Sequence, residues 1–108
     1  MAQRHEATSF LPLTESTYYV MLTLVEPLHG YAVMQRVEEM SEGTVRLGPG
    51  TLYGVFATLE KAGLIVKVKE EERRKSYTLT PQGVDVLREQ VRRLEIMARQ
   101  GRQIAGRS

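Results

Sequence analysis

Four stretches of the chain carry apolar residues at helical spacing and one carries them at strand spacing. After Thr14, a candidate N-cap, ESTYYVMLTLVE places Tyr18, Met21, Leu22 and Val25 at i, i+3, i+4 and i+7 before Pro27 interrupts the run. This predicts a first amphipathic helix. GYAVMQRVEEMS aligns Val33, Met34, Val37 and Met40 on one stripe, with Gln35, Arg36, Glu38 and Glu39 largely off it, and predicts a second helix ending in a turn at Ser41 to Gly43. TVRL at 44–47 is too short for a helix and is expected as a brief strand before Gly48.

GPGTLYGVFATLEKAG then opens with Pro49, whose missing N–H costs nothing in a first helical turn. It repeats Leu52, Val55, Phe56 and Leu59 at helical spacing and ends on Gly63, a suitable C-terminal cap. A third helix follows over 49–62. The period next changes to two. Leu64, Val66 and Val68 alternate with Ile65, Lys67 and Lys69, and Tyr77 and Leu79 alternate with Ser76 and Thr78, so a hairpin with a charged tip is expected. Thr80 as N-cap and Pro81 as first residue begin a last, long helix to about Gln100, loosened by Gly101 and Gly106.

Helix, helix, short strand, helix, hairpin and long helix is a winged helix-turn-helix order: mainly α with a small β-hairpin, plus a long C-terminal helix. The expected divisions are a flexible N-terminal segment at 1–13, a winged helix domain at 14–80, and a C-terminal dimerisation helix with a frayed tail at 81–108.

At 108 residues and 42% hydrophobic, the chain supports one domain with a modest core. A helix of about 20 residues, roughly 30 Å long, is more than such a core needs. Its Val84, Leu87, Val91, Leu94 and Ala98 follow a 3-4-3-4 rhythm. That seam fits either a partner helix, giving a homodimer, or the chain's own domain. The absence of cysteine excludes disulfides, thiolate metal sites and cysteine nucleophiles. No apolar run reaches membrane-spanning length and the first residues lack a signal-peptide core, so a cytoplasmic protein without a membrane partner is expected.

Charge is unevenly placed. Residues 1–66 hold four basic and seven acidic side chains, whereas 67–108 hold eleven and six. A local basic excess suits a polyanion, or equally a solvated surface. His29 has only the distant His5 for company, and no carboxylate pair or nucleophile constellation can be assembled. No metal site, cofactor or enzymatic activity is expected.

The third helix admits two functional readings. A phosphate-binding loop needs Gly-Lys-Ser/Thr after its glycines, and none follows here. A DNA-reading helix needs a slim polar face. With the apolar stripe inward, Pro49, Gly50, Thr51, Gly54, Thr58 and Lys61 turn outward, with Tyr53 and Ala57 at the flank. Arg73, Arg74 and Lys75 on the hairpin supply cations for phosphates, although Glu70 to Glu72 oppose them. Double-stranded DNA is one partner these features fit. An acidic protein docking on the basic wing is the other.

Three segments, LHGYAVMQRV (28–37), LGPGTLYGVFATLEKAGLI (47–65) and RRKSYTLTPQG (73–83), give the sequence a resemblance to the PadR family of bacterial transcriptional regulators, from about Ser16 to about Arg99. The resemblance implies a dimeric winged-helix repressor on palindromic operator DNA, with 49–62 as recognition helix, Tyr53 as the family's characteristic tyrosine, and Arg73, Arg74 and Lys75 as the basic wing. The single terminal helix is similar to that of the short subclass, where it pairs with the N-terminal helix of the partner subunit. Some of those members bind flat hydrophobic molecules at the dimer interface. Phe10, Leu11, Tyr18 and Met97 are the candidate pocket here for a small hydrophobic or phenolic effector. The wing departs from the family pattern in its Glu-rich tip and in Ser76, and the chain contains no tryptophan to stack on an effector.

Overall fold

The computed structural model describes residues 9–106. In order, its elements are α1 (Glu15–Thr23), β1 (Leu28–His29), α2 (Gly30–Met40), α3 (Pro49–Lys61), β2 (Ile65–Glu71), β3 (Arg74–Leu79) and α4 (Pro81–Ala105). The three strands form one antiparallel sheet in the order β1-β3-β2. This is the winged helix with a long terminal helix that the residue pattern predicts.

Thr14 caps α1, its hydroxyl accepting from the Thr17 N–H at 3.1 Å. The buried face differs from the expected one. Val20, Met21, Thr23 and Leu24 turn inward, whereas Tyr18 and Leu22 are half-buried and Val25 lies beyond the helix at 67% exposed. Apolar residues surround this short helix on nearly every side, so periodicity alone does not choose the face. The carbonyl of Leu24 then accepts from both the Leu79 N–H (2.9 Å) and the Thr78 hydroxyl (3.0 Å), tying the end of α1 to β3.

The brief strand expected at 44–47 is irregular chain. Ser41 folds this loop onto itself, donating its hydroxyl to the Val45 carbonyl (3.1 Å) and accepting from the Val45 N–H (3.0 Å), which occupies backbone groups a strand would have offered to a sheet. The short strand is β1, which pairs Leu28 with Tyr77 and His29 with Ser76.

α3 packs as its spacing predicts, with Leu52, Phe56 and Leu59 buried and Val55 partly so. It closes in a Schellman cap. Gly63 adopts φ +80°, the Leu64 N–H reaches the Leu59 carbonyl (2.9 Å) and the Gly63 N–H reaches the Glu60 carbonyl (3.0 Å). In the hairpin, Ile65 and Tyr77 face the core while Val66 and Val68 point outward, with an irregularity in the register between Lys67 and Lys69.

The core joins Val20, Met21 and Leu24 of the first helical region to Val33, Val37, Leu52, Phe56, Leu64, Ile65 and the start of α4. Phe10, Leu11 and Leu13 pack against it, and the Leu13 N–H donates to the Gln90 Oε1 at 2.8 Å. Residues 10–13 are therefore docked rather than free, in contrast to the flexible segment expected at 1–13. His5 and the rest of 1–8 lie outside the described residues, as do 107–108. α4 also runs further than its glycines suggest, through Gly101 to Ala105.

Candidate nucleic-acid interface

Pro49 at the first turn and the Schellman cap at Gly63 fix where α3 begins and ends, and its buried stripe fixes which face looks out. Pro49, Gly50, Thr51, Gly54, Thr58 and Lys61 are all exposed along that face. Neither Gly50 nor Gly54 has anything within 4 Å of the place a Cβ would occupy, so the slimness is directed at solvent rather than at a neighbouring element. Tyr53 sits at the flank, 60% exposed, with its ring edge-on to Phe56 at 6.4 Å and its rim beside Gly30. It is a surface residue anchored on the core, with a free face.

The wing is formed by β2, β3 and a two-residue tip, Glu72 and Arg73, at φ 47° and 72°. Two consecutive left-handed residues make the tight turn that matches strand twist, usually built from Asn-Gly. The glycine absent from the tip sequence is thus absent from a turn that favours it.

Acid and base segregate on this hairpin. Lys67 Nζ meets Glu70 Oε1 at 3.0 Å, and Lys69 Nζ meets Glu71 Oε1 at 3.0 Å. The hydrogen bond from Lys67, reinforced by its charge, holds the Glu70 carboxyl below its ordinary range. Arg73, Arg74 and Lys75 form no ion pair within 4.0 Å among the described residues. Glu70 and Glu71 are thus each engaged by a lysine of their own strand, while Arg74 and Lys75 stand across the register from Glu71 and Glu70 without an ion pair of their own, and Arg73 lies in the turn.

Between wing and helix lies a cleft of about 630 Å³. Tyr53, Phe56, Ala57 and Glu60 of α3 form one wall, Arg73 to Lys75 and Tyr77 the other, and His29 to Tyr31 close the end. Burial first, and then the Glu60 charge, raises the Tyr77 hydroxyl above its ordinary value. On the other side of α3 a groove of about 350 Å³ is lined by Thr17, Thr51, Gly54, Val55 and Thr58. Sequence spacing did not single out Glu60, Tyr77 or Thr17. Tyr77 and Thr17 read as a strand core position and a residue behind an N-cap; Glu60 comes to the wing through the packing of α3 on β2, and Tyr31 through the pairing of β1 with β3.

The expected dimer seam divides. Leu87 is buried in the chain's own core beside Val86 and Gln90, Val84, Val91 and Leu94 are half-buried, and Ala98 is exposed. The fully buried face of α4 is Gly83, Val86, Leu87 and Gln90, one step away from the seam drawn from spacing. Past Leu94, Met97 (62% exposed) and Ile104 (74% exposed) continue a bare apolar line. Of the four candidate effector residues, Phe10, Leu11 and Tyr18 pack against the core, while Met97 stands apart on the bare half.

No helix among the described residues is long and apolar enough to cross a membrane, and no group of three or more His, Asp or Glu among them could hold a metal ion.

The model of the PadR-like transcriptional regulator family matches residues 12–89 of this chain. The transcriptional regulator Rv3488 of Mycobacterium tuberculosis is 39% identical over 66 residues, covering 58% of this chain and 62% of that protein. The transcriptional regulator YqjI of Escherichia coli is 30% identical over 69 residues, 64% of this chain and 33% of that protein. The chain thus spans less than two thirds of the length of these curated relatives. A PadR-like transcription factor from Bacteroides fragilis superposes with a TM-score of 0.68 at 26% identity, covering 82% of this chain and 88% of that one. The match spans α3 and the whole hairpin, and the chain belongs to the PadR-like family of transcriptional regulators, not to a family of enzymes.

Proposed function

We propose that this chain is a homodimeric repressor that binds an inverted-repeat operator. Two α3 helices enter successive major grooves about one helical turn, roughly 34 Å, apart, and the wings grip the flanking backbone. The observation that carries this reading is the separation of charge on the hairpin, which leaves Arg73, Arg74 and Lys75 unpaired beside the slim polar face of α3. Cations without protein partners can each exchange condensed counterions for a phosphate. The wing cations alone would suit an acidic protein as well; what favours a duplex is the slim exposed face of Pro49, Gly50, Thr51, Gly54, Thr58 and Lys61 beside them, which carries no acid.

Dimerisation is supported by the bare line on α4, where Met97 and Ile104 are left uncovered by the other described residues of the protomer. An effector pocket including Met97 would have to be completed across that interface, since its other three candidate residues belong to the core side.

The test is binding to the protein's own upstream region and to a random-sequence pool, measured at several salt concentrations. Arg73→Ala with Arg74→Ala should weaken binding to all sequences and lower the salt slope by about 1.8 for two phosphate contacts. Thr51→Ala should shift sequence preference more than overall affinity. Unchanged binding by the double variant across the salt series would overturn the role given to the wing.

A further inference from the structure

Two surfaces of opposite charge lie outside the polar face of α3 and the wing tip. The first is on α2. Residues 31–42 hold three acidic side chains and one basic, and a groove of about 520 Å³ runs along the helix between Tyr31, Met34, Gln35, Glu38, Glu39 and Leu47. Its floor is apolar, with Met34 and Leu47 half-buried against the core and Tyr31 64% exposed. Glu38 meets the exposed Arg46 at 3.5 Å, and Glu39 has no ion pair within 4.0 Å among the described residues. Acid at the rim repels a polyanion, so the groove is not a surface for DNA.

The second is on α4. Arg88, Arg92, Ile96 and Arg99 recur at i, i+4, i+8 and i+11, all exposed, on the side of the helix opposite Gly83, Val86, Leu87 and Gln90. Residues 88–102 hold five basic side chains and two acidic. Arg88 and Arg99 form no ion pair within 4.0 Å among the described residues, and Arg92 pairs with Glu89 but keeps further N–H donors. Burial, Tyr19 and Glu95 raise the Tyr18 hydroxyl, which puts Glu95 towards α1 and off this column. Met97 and Ile104 project from the other side, so a helix paired along them leaves the column bare.

We propose that the basic side of α4 on one copy of the chain seats in the acidic groove of α2 on a neighbouring copy. Ile96 enters over Tyr31, Met34 and Leu47, and the arginines beside it reach Glu38 and Glu39. An apolar centre with tyrosine, methionine and arginine about it and a charged rim is the make-up of a protein interface. Opposed potentials fix its register. The two surfaces differ, so the contact is heterologous: every copy offers one of each, and association runs on instead of closing on a pair. Dimers side by side on DNA therefore bind cooperatively. The contact itself needs only two copies; its use along DNA rests on the proposed function.

Sedimentation velocity of the full chain without DNA, over a range of concentrations at about 0.02 M and about 0.5 M salt, reads the contact. Expected at the lower salt is concentration-dependent assembly into species larger than the one present at the higher salt, where exposed charges are screened. Glu39→Arg and Arg99→Glu, both at exposed helical positions, should each weaken that assembly at least about tenfold by opposing like charges. Both changes on one chain exchange the partners' signs and should restore assembly to within about threefold of the parent. No larger species at the lower salt, parental assembly by either single variant, or a double variant no stronger than the singles would overturn the contact. On a long random-sequence duplex at low salt, the parent and the double variant should saturate with a steeper concentration dependence than the single variants, and equal slopes would overturn the use along DNA. A chain that binds no duplex but shows the same loss and rescue would refute the DNA reading and leave the contact standing.

Discussion

The two halves of α4 share one helix and one apolar rhythm but live in different surroundings. From Gly83 to Gln90 the helix is sunk into the domain, close enough that a Cβ at Gly83 would collide with the Leu64 carbonyl oxygen. Thr80 fixes that approach, its hydroxyl donating to the Gly63 carbonyl at 2.7 Å and accepting from the Gly83 N–H at 3.1 Å. Beyond Leu94 the same helix leaves the domain with Met97 and Ile104 uncovered. One half locks the helix to the winged domain, and the other holds its apolar side chains out to solvent. A rigid connection between them is what would let a dimer contact set the separation of two reading helices.

The inner half can be broken at its tightest point. Gly83→Ala must push α4 away from Leu64 or bend the chain there, and such overpacking against backbone costs about 3 kcal/mol. Thermal unfolding should fall by on the order of 15 °C for a domain of this size. A Tm within a few degrees of the parent would show that the helix seat is softer than its geometry implies.

The outer half is broken by charge. Met97→Glu with Ile104→Glu should leave helix content and the winged domain intact, because neither side chain belongs to the core. In sedimentation equilibrium the dimer should weaken by roughly 100-fold, equivalent to about 2.7 kcal/mol. A dimer of parental strength would place the partner elsewhere.

The difference between the halves also marks what the sequence could reveal. Helix α3 was legible because a strong stripe, Leu52, Phe56 and Leu59, sits between Pro49 and Gly63, two residues with unambiguous backbone meaning. The exposed polar face followed as its complement. α1 was legible as a helix but not in its facing, since tyrosines, methionine and leucine encircle it. β1 was hidden, because two residues become a strand only when the distant β3 offers Tyr77 and Ser76 to pair with. The face that α4 buries in its own domain was hard to read for a related reason. Val84, Val91, Leu94 and Ala98 keep a clearer apolar rhythm than Gly83, Val86 and Gln90, Leu87 stands on both lines, and a polar Gln90 disguises the buried face. The wing's cations were visible, but their freedom depends on which glutamate each lysine reaches.

Gln90 marks the border between the halves. It is buried, and its Oε1 takes the Leu13 N–H at 2.8 Å, so the chain entering α1 is strapped across the helix at the last point where the helix is covered. Gln90→Leu keeps the size and removes the acceptor. Leaving a partly buried N–H without a partner should cost about 1–2 kcal/mol, and the Leu13 amide should exchange with solvent correspondingly faster. Unchanged exchange at Leu13 would show that the strap is held by Phe10 and Leu11 packing alone.

The smallest effect lies within the bare half. Gly101 falls in line with Leu94, Met97 and Ile104, and nothing stands within 4 Å of the place its Cβ would occupy in the protomer. Glycine in an exposed helix interior is disfavoured relative to alanine by up to about 1 kcal/mol. Gly101→Ala should therefore raise thermal stability by a few degrees while the dimer keeps its affinity, because a methyl group fits the holes between side chains of a paired helix. If stability rises and the dimer weakens, the partner's backbone must approach α4 closely at Gly101, and the glycine is then there for contact rather than for an end to the helix. If neither changes, the last turns of α4 contribute no ordered helix in solution, and the uncovered line would end near Met97.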